Sequence, residues 1–334
     1  PKLNRCLTGY DLKHVRTDDG KIDLNAVLCG SEGTLALISE AKINLEPLPT
    51  EVALVAVQYE SFMDALFDAR ELMAHGATSI ETVDSKVLNL AMNDFIWDSV
   101  ADYFPAFEQT LQGINLVEFT DFDAVKLGDT VDRFSRYLEQ VAADNGGSFA
   151  HAIARGRAQV SQVWAMRKRA VGLLGGVEGA KKPVAFVEDT CVPPENLASY
   201  IGEFRQLLDD HDLDYGMFGH VDAGVLHVRP LLDLRAPETM DMVRTITDQV
   251  VDLTKKYNGL LWGETPGGNG NRIRIDQGLD TSEISAGRTL DPLLVETQYM
   301  IEMDSRLGHI VSTGDSRASV SFVDDDSIAT YYLS

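Results

Sequence analysis

Tyr215-Gly216-Met217-Phe218-Gly219-His220, then Val221-Asp222-Ala223-Gly224, then Val225-Leu226-His227-Val228-Arg229, is the stretch on which the fold turns. Two apolar, β-rich runs flank a short segment carrying Asp and Gly, which predicts a β-hairpin. Such a hairpin lays its arms antiparallel. It can also aim His220 and His227, one on each side of the turn, into one pocket, with their imidazoles converging on a single ion. The competing reading is that each His is an ordinary satisfied polar group. A third ligand would be Glu264, behind the apolar Leu260-Leu261-Trp262-Gly263. Two His with one carboxylate and an open position is a common catalytic zinc set.

Upstream of the hairpin, strand and helix signals alternate. Glu51–Tyr59 alternates and is β-rich. Ser61 caps a helix whose apolar face is Phe62, Leu66, Ala69, Leu72 and Met73, ending at His75-Gly76. Ser79–Val83, Asn115–Phe119 and Val184–Val187 read as strands. Asp121–Ala143 and Ala158–Leu174 read as helices, and Pro193-Pro194 opens another that runs to about His211. After the hairpin, Glu238–Tyr257 is helical and Asn258-Gly259 stops it. The class is α+β.

The two ends differ from this middle. Residues 1–49 read as strand and loop, closed by Glu46-Pro47-Leu48-Pro49, which marks a boundary. From Thr265 the chain turns Gly- and Asn-rich. Short alternating segments follow at Arg272–Ile275, Ile310–Ser312 and Ala318–Val323, with a helix near Leu293–Met303. Three domains are therefore expected: 1–49, 50–264 and a β-rich tail at 265–334.

The net charge of −23 repels nucleic acid and anionic lipid. No run approaches the roughly 20 apolar residues that span a bilayer. Pro1-Lys2-Leu3-Asn4-Arg5 has no apolar region behind it and no initiator Met, so the chain is expected to start inside a longer one, without a signal peptide. Cys6, Cys29 and Cys191 lie far apart, with no Cys-x-x-Cys pair. A cytoplasmic location fits, with peripheral attachment at the inner membrane face as a variant.

Gly30-Ser31-Glu32-Gly33-Thr34-Leu35 holds two glycines and small hydroxyls, which suits close approach of backbone N–H groups to a ligand; a plain turn is the competing reading. Its setting narrows the choice. Gly9-Tyr10-Asp11-Leu12, a spacer, this loop, a strand and a Leu-Pro exit together resemble the end of the flavin domain of the FAD-linked oxidase family. The hairpin resembles the family's Gly-His-x-x-x-Gly-x-x-His. Phe186-Val187-Glu188-Asp189-Thr190, Met217-Phe218-Gly219-His220 and His227-Val228-Arg229-Pro230-Leu231 look closest to large bacterial members with a C-terminal iron–sulfur domain, linked to D-2-hydroxyglutarate or D-lactate oxidation. The resemblance covers about residues 3–264.

It implies the end of a two-part FAD-binding domain followed by a ferredoxin-like antiparallel-sheet cap domain. It implies that Gly30, Ser31, Glu32, Gly33 and Thr34 lie against FAD. It gives Arg167, in Trp164-Ala165-Met166-Arg167-Lys168-Arg169, the substrate carboxylate; a guanidinium fork matches a carboxylate bidentately, and a solvated basic face is the alternative. Lys181 and Lys182 are looser second anchors. It implies a divalent ion, Zn²⁺ or Mn²⁺, on His220, His227 and Glu264, gripping the hydroxyl and carboxylate of a small 2-hydroxy acid. Arg167, His220 and His227 are the expected catalytic group, and an electron acceptor or iron–sulfur partner would follow.

The pattern breaks after the metal Glu, where the family continues His-Gly and this chain has Thr265-Pro266-Gly267. Nothing beyond matches the family, so 265–334 is expected to be foreign to it, with a divergent end as the alternative. The Gly-rich loop for the FAD pyrophosphate is missing at the other end. The expected function is a fragment of an FAD-dependent D-2-hydroxy-acid dehydrogenase, inactive by itself. The alternative is a non-catalytic metal-binding cap module that docks on a separate flavin subunit.

Overall fold

The computed structural model describes residues 10–29, 31, 34–36, 47–104, 111–145, 150–176 and 179–261, and the backbone of strands at 308–313, 317–324 and 327–332. The chain divides into two units, Leu48–Glu264 with Pro1–Arg5, and Cys6–Pro47 with Thr265–Ser334. The helices are α1 (Asn25–Leu28), α2 (Phe62–Met73), α3 (Ser85–Met92), α4 (Ala124–Asn145), α5 (Gly156–Gly175), α6 (Leu197–Asp210) and α7 (Thr239–Lys256). The strands are β1 (Glu51–Tyr59), β2 (Ser79–Asp84), β3 (Gly113–Asp121), β4 (Ala150–Arg155), β5 (Lys182–Pro183), β6 (Tyr215–His220), β7 (Val225–Leu232), β8 (Gly308–Thr313), β9 (Arg317–Asp324) and β10 (Ser327–Tyr332).

The first unit is built on one antiparallel sheet, ordered β4-β1-β3-β2-β6-β7-β5. With α3 inserted between β2 and β3, the chain order β1-α2-β2-α3-β3-α4-β4 set on β4-β1-β3-β2 is an elaborated split βαβ connectivity. Both faces of the sheet are covered. Ala53, Val55, Val57 and Tyr59 of β1 face α2, α4, α6 and α7, while Leu54 and Ala56 face α3 and α5. β1 was expected to alternate between core and solvent; instead Ala53–Tyr59 is buried throughout, because a helical layer lies on each side. Each fully buried large apolar side chain, such as Leu72 or Phe204, stabilises this core by about 1.5–3 kcal/mol.

The helices start where their caps place them. Ser61 accepts the Asp64 amide and opens α2. α4 begins at Ala124 rather than Asp121, because the Asp123 carboxylate accepts the amides of Val125 and Lys126. In the first unit, β4 and α3 go unread in the sequence. β4 is alanine-rich, a poor strand signal, and α3 is short, announced only by its cap Asp84, which accepts the Val87 amide at 2.9 Å.

The strand expected at Val184–Val187 is replaced by the two-residue β5. Val184 makes one further backbone bond, to Pro230. The chain then leaves the sheet edge and reaches a positive φ of 67° at Asp189. In the second unit, β8, β9 and β10 form an antiparallel meander. The expected segments Arg272–Ile275 and Leu293–Met303 lie outside the described residues.

Candidate active site on the sheet face beneath α5

Residues two apart on a strand share a face, and directly opposed residues on antiparallel neighbours do too. Glu81 of β2 is opposite His220 of β6, and Phe218 is opposite His227 of β7. Glu81, Phe218, His220, His227 and Arg229 therefore share one face. It is the face that carries α5, since Phe218 belongs to the α3–α5 core.

The turn that makes this register possible depends on glycine. Gly224 has φ +72°, and a Cβ there would fall 1.9 Å from the Val192 carbonyl oxygen. Gly219 has φ +149°, and its Cβ would meet the Val225 carbonyl at 2.8 Å. The expected two-stranded hairpin is present, closed by a single 3₁₀ turn at Val221–Ala223.

Charge is arranged around this face in two groups. In the first, the Arg167 guanidinium reaches down from α5 and donates through Nη2 to Oε2 of Glu81 at 2.6 Å. Oε1 of the same carboxylate is in very close contact with Nδ1 of His220. Burial pushes the Glu81 carboxyl up. The His220 hydrogen bond and the nearby His220, Arg167 and His227 outweigh it and hold the group at about 2.

In the second group, Nδ1 of His227 lies 2.6 Å from Oδ1 of Asp189 and 4.0 Å from Oε2 of Glu188. Glu188 also accepts from Nε of Arg229 at 2.7 Å. The ligand atoms of Glu188, Asp189 and His227 lie within 4.8 Å of one another, near enough to share an ion.

Two rings and two guanidiniums tie the groups together. The His220 and His227 rings stand edge-to-face, centroids 5.7 Å apart. Arg167 and Arg229 each place their Cζ over Phe218, at 5.2 and 5.4 Å. The structure thus sets Arg167, His220 and His227 side by side. Lys182 stands on β5, exposed.

The other expected site residues are placed differently. Glu264, Gly30, Glu32 and Gly33 lie outside the described residues. Ser31 and Thr34 belong to the other unit. The Ser31 hydroxyl donates to the Leu28 carbonyl at 2.9 Å, and the Thr34 hydroxyl donates to the Ser31 carbonyl and meets Tyr10 Oη at 2.7 Å. Both hydroxyls close local turns.

Glu81, Asp189, Glu188 and Arg229 carry roles that the sequence reading did not assign. The one signal for Glu81 was a charge inside an otherwise apolar strand, Ile80-Glu81-Thr82-Val83.

Residues 48–264 match the family model described as "FAD linked oxidases, C-terminal domain". The chain belongs to the FAD-linked oxidase family. It is 56% identical over 265 residues to a protein of Pseudomonas putida named D-2-hydroxyglutarate dehydrogenase, covering 79% of this chain and 26% of that one. It is 51% identical over 267 residues to the Escherichia coli protein of that name, with 79% and 26% covered. It is 45% identical over 336 residues to the Pantoea ananatis protein of that name, with 99% and 32% covered. This FAD-linked oxidase chain thus spans about a quarter to a third of the length of these relatives. The family implies FAD as cofactor. Among the described residues no helix is long and apolar enough to cross a membrane.

The donor set fits a divalent ion. Two imidazoles side by side, each with a carboxylate at Nδ1, are a donor arrangement that a borderline cation such as zinc can take.

Proposed function

We propose that this chain is the substrate-side part of an FAD-dependent dehydrogenase that oxidises D-2-hydroxyglutarate. The single observation that carries the reading is Arg167, His220 and His227 brought onto one sheet face through Glu81. The activity for which the relatives are named supports it.

Arg167 binds and orients the carboxylate beside the reacting carbon, because a guanidinium fork fixes a carboxylate in plane. Arg229 supplies a second guanidinium over the same Phe218 ring, which suits a substrate with a second carboxylate and disfavours D-lactate. His220 and His227, with Glu264, would hold a divalent ion, which would supply Lewis acidity toward the substrate hydroxyl. FAD would supply the acceptor for the hydride of the α-carbon. Gly30, Ser31, Glu32, Gly33 and Thr34 line the flavin. We read residues 50–264 as the ferredoxin-like cap domain and 1–49 as the end of the flavin domain.

The test is dye reduction by the FAD-loaded holoenzyme. Arg167→Met removes a charge-assisted contact worth about 1.5–3 kcal/mol, so KM should rise roughly 10–150-fold for D-2-hydroxyglutarate and D-lactate alike. Arg229→Met should raise it for D-2-hydroxyglutarate alone. Unchanged KM in both variants would remove the assignment. The isolated chain should show no turnover; a tightly held yellow flavin with D-2-hydroxyglutarate oxidation would contradict that part.

A further inference from the structure

We infer that Glu81 is the positioning residue of this site: one carboxylate that fixes His220 for metal binding and Arg167 for carboxylate binding. The inference rests on the metal reading above and deepens it. Its basis is the division of labour between the two carboxylate oxygens. Oε2 receives Arg167 Nη2 at 2.6 Å, and Oε1 receives Nδ1 of His220.

An imidazole that donates its Nδ1 proton is held in the tautomer whose lone pair sits on Nε2, and the carboxylate makes that lone pair more basic. The ring can then neither flip nor exchange tautomers without breaking the contact. Arg167 is held by the same group, so its fork is aimed from the same fixed point.

The strand fixes that point in turn. Glu81 is directly opposite His220 in the ladder, and its neighbour Thr82 is tied to the Ile114 carbonyl at 3.1 Å on β3. The Glu81 side chain is 9% exposed, and a carboxylate so enclosed costs several kcal/mol unless it is paired. A purely structural role would need one cation. Here two partners are held, and both are groups with substrate-side roles. The distance between the ion and the carboxylate fork is therefore set by one side chain.

Glu81→Gln tests this in the full chain. A carboxamide can accept from His220 only by turning its NH₂ toward Arg167. Zn²⁺ affinity, measured by competition with a chromophoric chelator, should fall about 10–100-fold. In the FAD-loaded holoenzyme, KM for D-2-hydroxyglutarate should rise by a larger factor than kcat falls. Glu81→Asp keeps the charge and should recover part of both losses. Far-UV circular dichroism of the zinc-free variants checks the fold. Long-range ¹H–¹⁵N correlation on the wild-type chain at pH 8 should show His220 protonated at Nδ1, and this measurement decides the matter if Glu81→Gln does not fold. Unchanged Zn²⁺ affinity in folded Glu81→Gln, or a proton on Nε2 of His220, would overturn the inference alone. Failure of the wild-type chain to take up Zn²⁺ would overturn the metal reading and this inference together.

Discussion

Asp84 shows how far one buried carboxylate can bend the protein's response to acid. Its Oδ1 caps α3 and its Oδ2 accepts the Met217 amide of β6 at 2.8 Å. Burial raises its pKa, against the pull of those two amides, to about 6 from an ordinary 3.8. The folded state therefore holds this proton over a range where the unfolded chain has released it. Stability must fall as pH rises from about 4 to about 6 and be flat in this respect on either side. The swing is on the order of 2–3 kcal/mol. Asp84→Asn should flatten it, seen as urea midpoints that no longer separate between pH 4 and pH 7; an undiminished separation would show that another group is responsible. A second single-residue prediction concerns His227, proposed above as a ligand of the ion. His227→Ala should weaken Zn²⁺ binding by more than about tenfold, since losing even an outer-shell partner costs that much. Equal affinity would take the site out of the account. The two His and Arg167 were legible at this scale because their residue types announce their chemistry. Glu81 and Asp189 were not, because a carboxylate inside a strand or an irregular loop gains its role only when other elements close over it.

Among the elements, the β6–β7 hairpin carries the most weight for its length. Its turn was readable from Asp222-Ala223-Gly224, but the reason glycine is required was not. That reason is the carbonyl of Val192, a residue 32 positions upstream in the chain, lying 1.9 Å from where a Cβ at Gly224 would sit. Gly224→Ala should destabilise the protein by at least the roughly 1–3 kcal/mol of a strained backbone, measured by urea denaturation, and should blunt Zn²⁺ affinity by disturbing the His220–His227 register. An alanine variant as stable as wild type would mean that the Val192 segment yields easily. β4 and α3 escaped notice for a related reason. Alanine-rich Ala150–Arg155 becomes a strand because β1 presents a ladder to it, and tertiary pairing overrides weak local preference.

For the molecule as a whole, the unit boundary falls between Glu264 and Thr265, where the sequence changes character. We propose that limited proteolysis cuts within Pro266–Asn271 and leaves a core of about 50–264. The alignment with the Pantoea ananatis protein reaches the tail, so this experiment also decides between a tail foreign to the family and one native to it. A tail that stays protease-resistant with the core argues for the native kind. The α+β class was legible from alternating strand and helix signals. The two-faced burial of the sheet was not, because periodicity along a single strand does not report how many layers will cover it.

The sandwiching of β1 and β3 between two helical layers has a consequence for exchange with solvent. Their backbone amides are paired on both sides, β1 with β4 and β3, β3 with β1 and β2, and roofed above and below. No local fraying uncovers them, so deuterium should enter Leu54–Gln58 and Ile114–Glu118 only when the whole unit opens. The deuteration rate there measures the global stability of the unit, while β4 and β5 at the sheet's two ends take up label through smaller openings. Mass spectrometry of peptic fragments would then read the stability of the scaffold and the breathing of its rim from one time course.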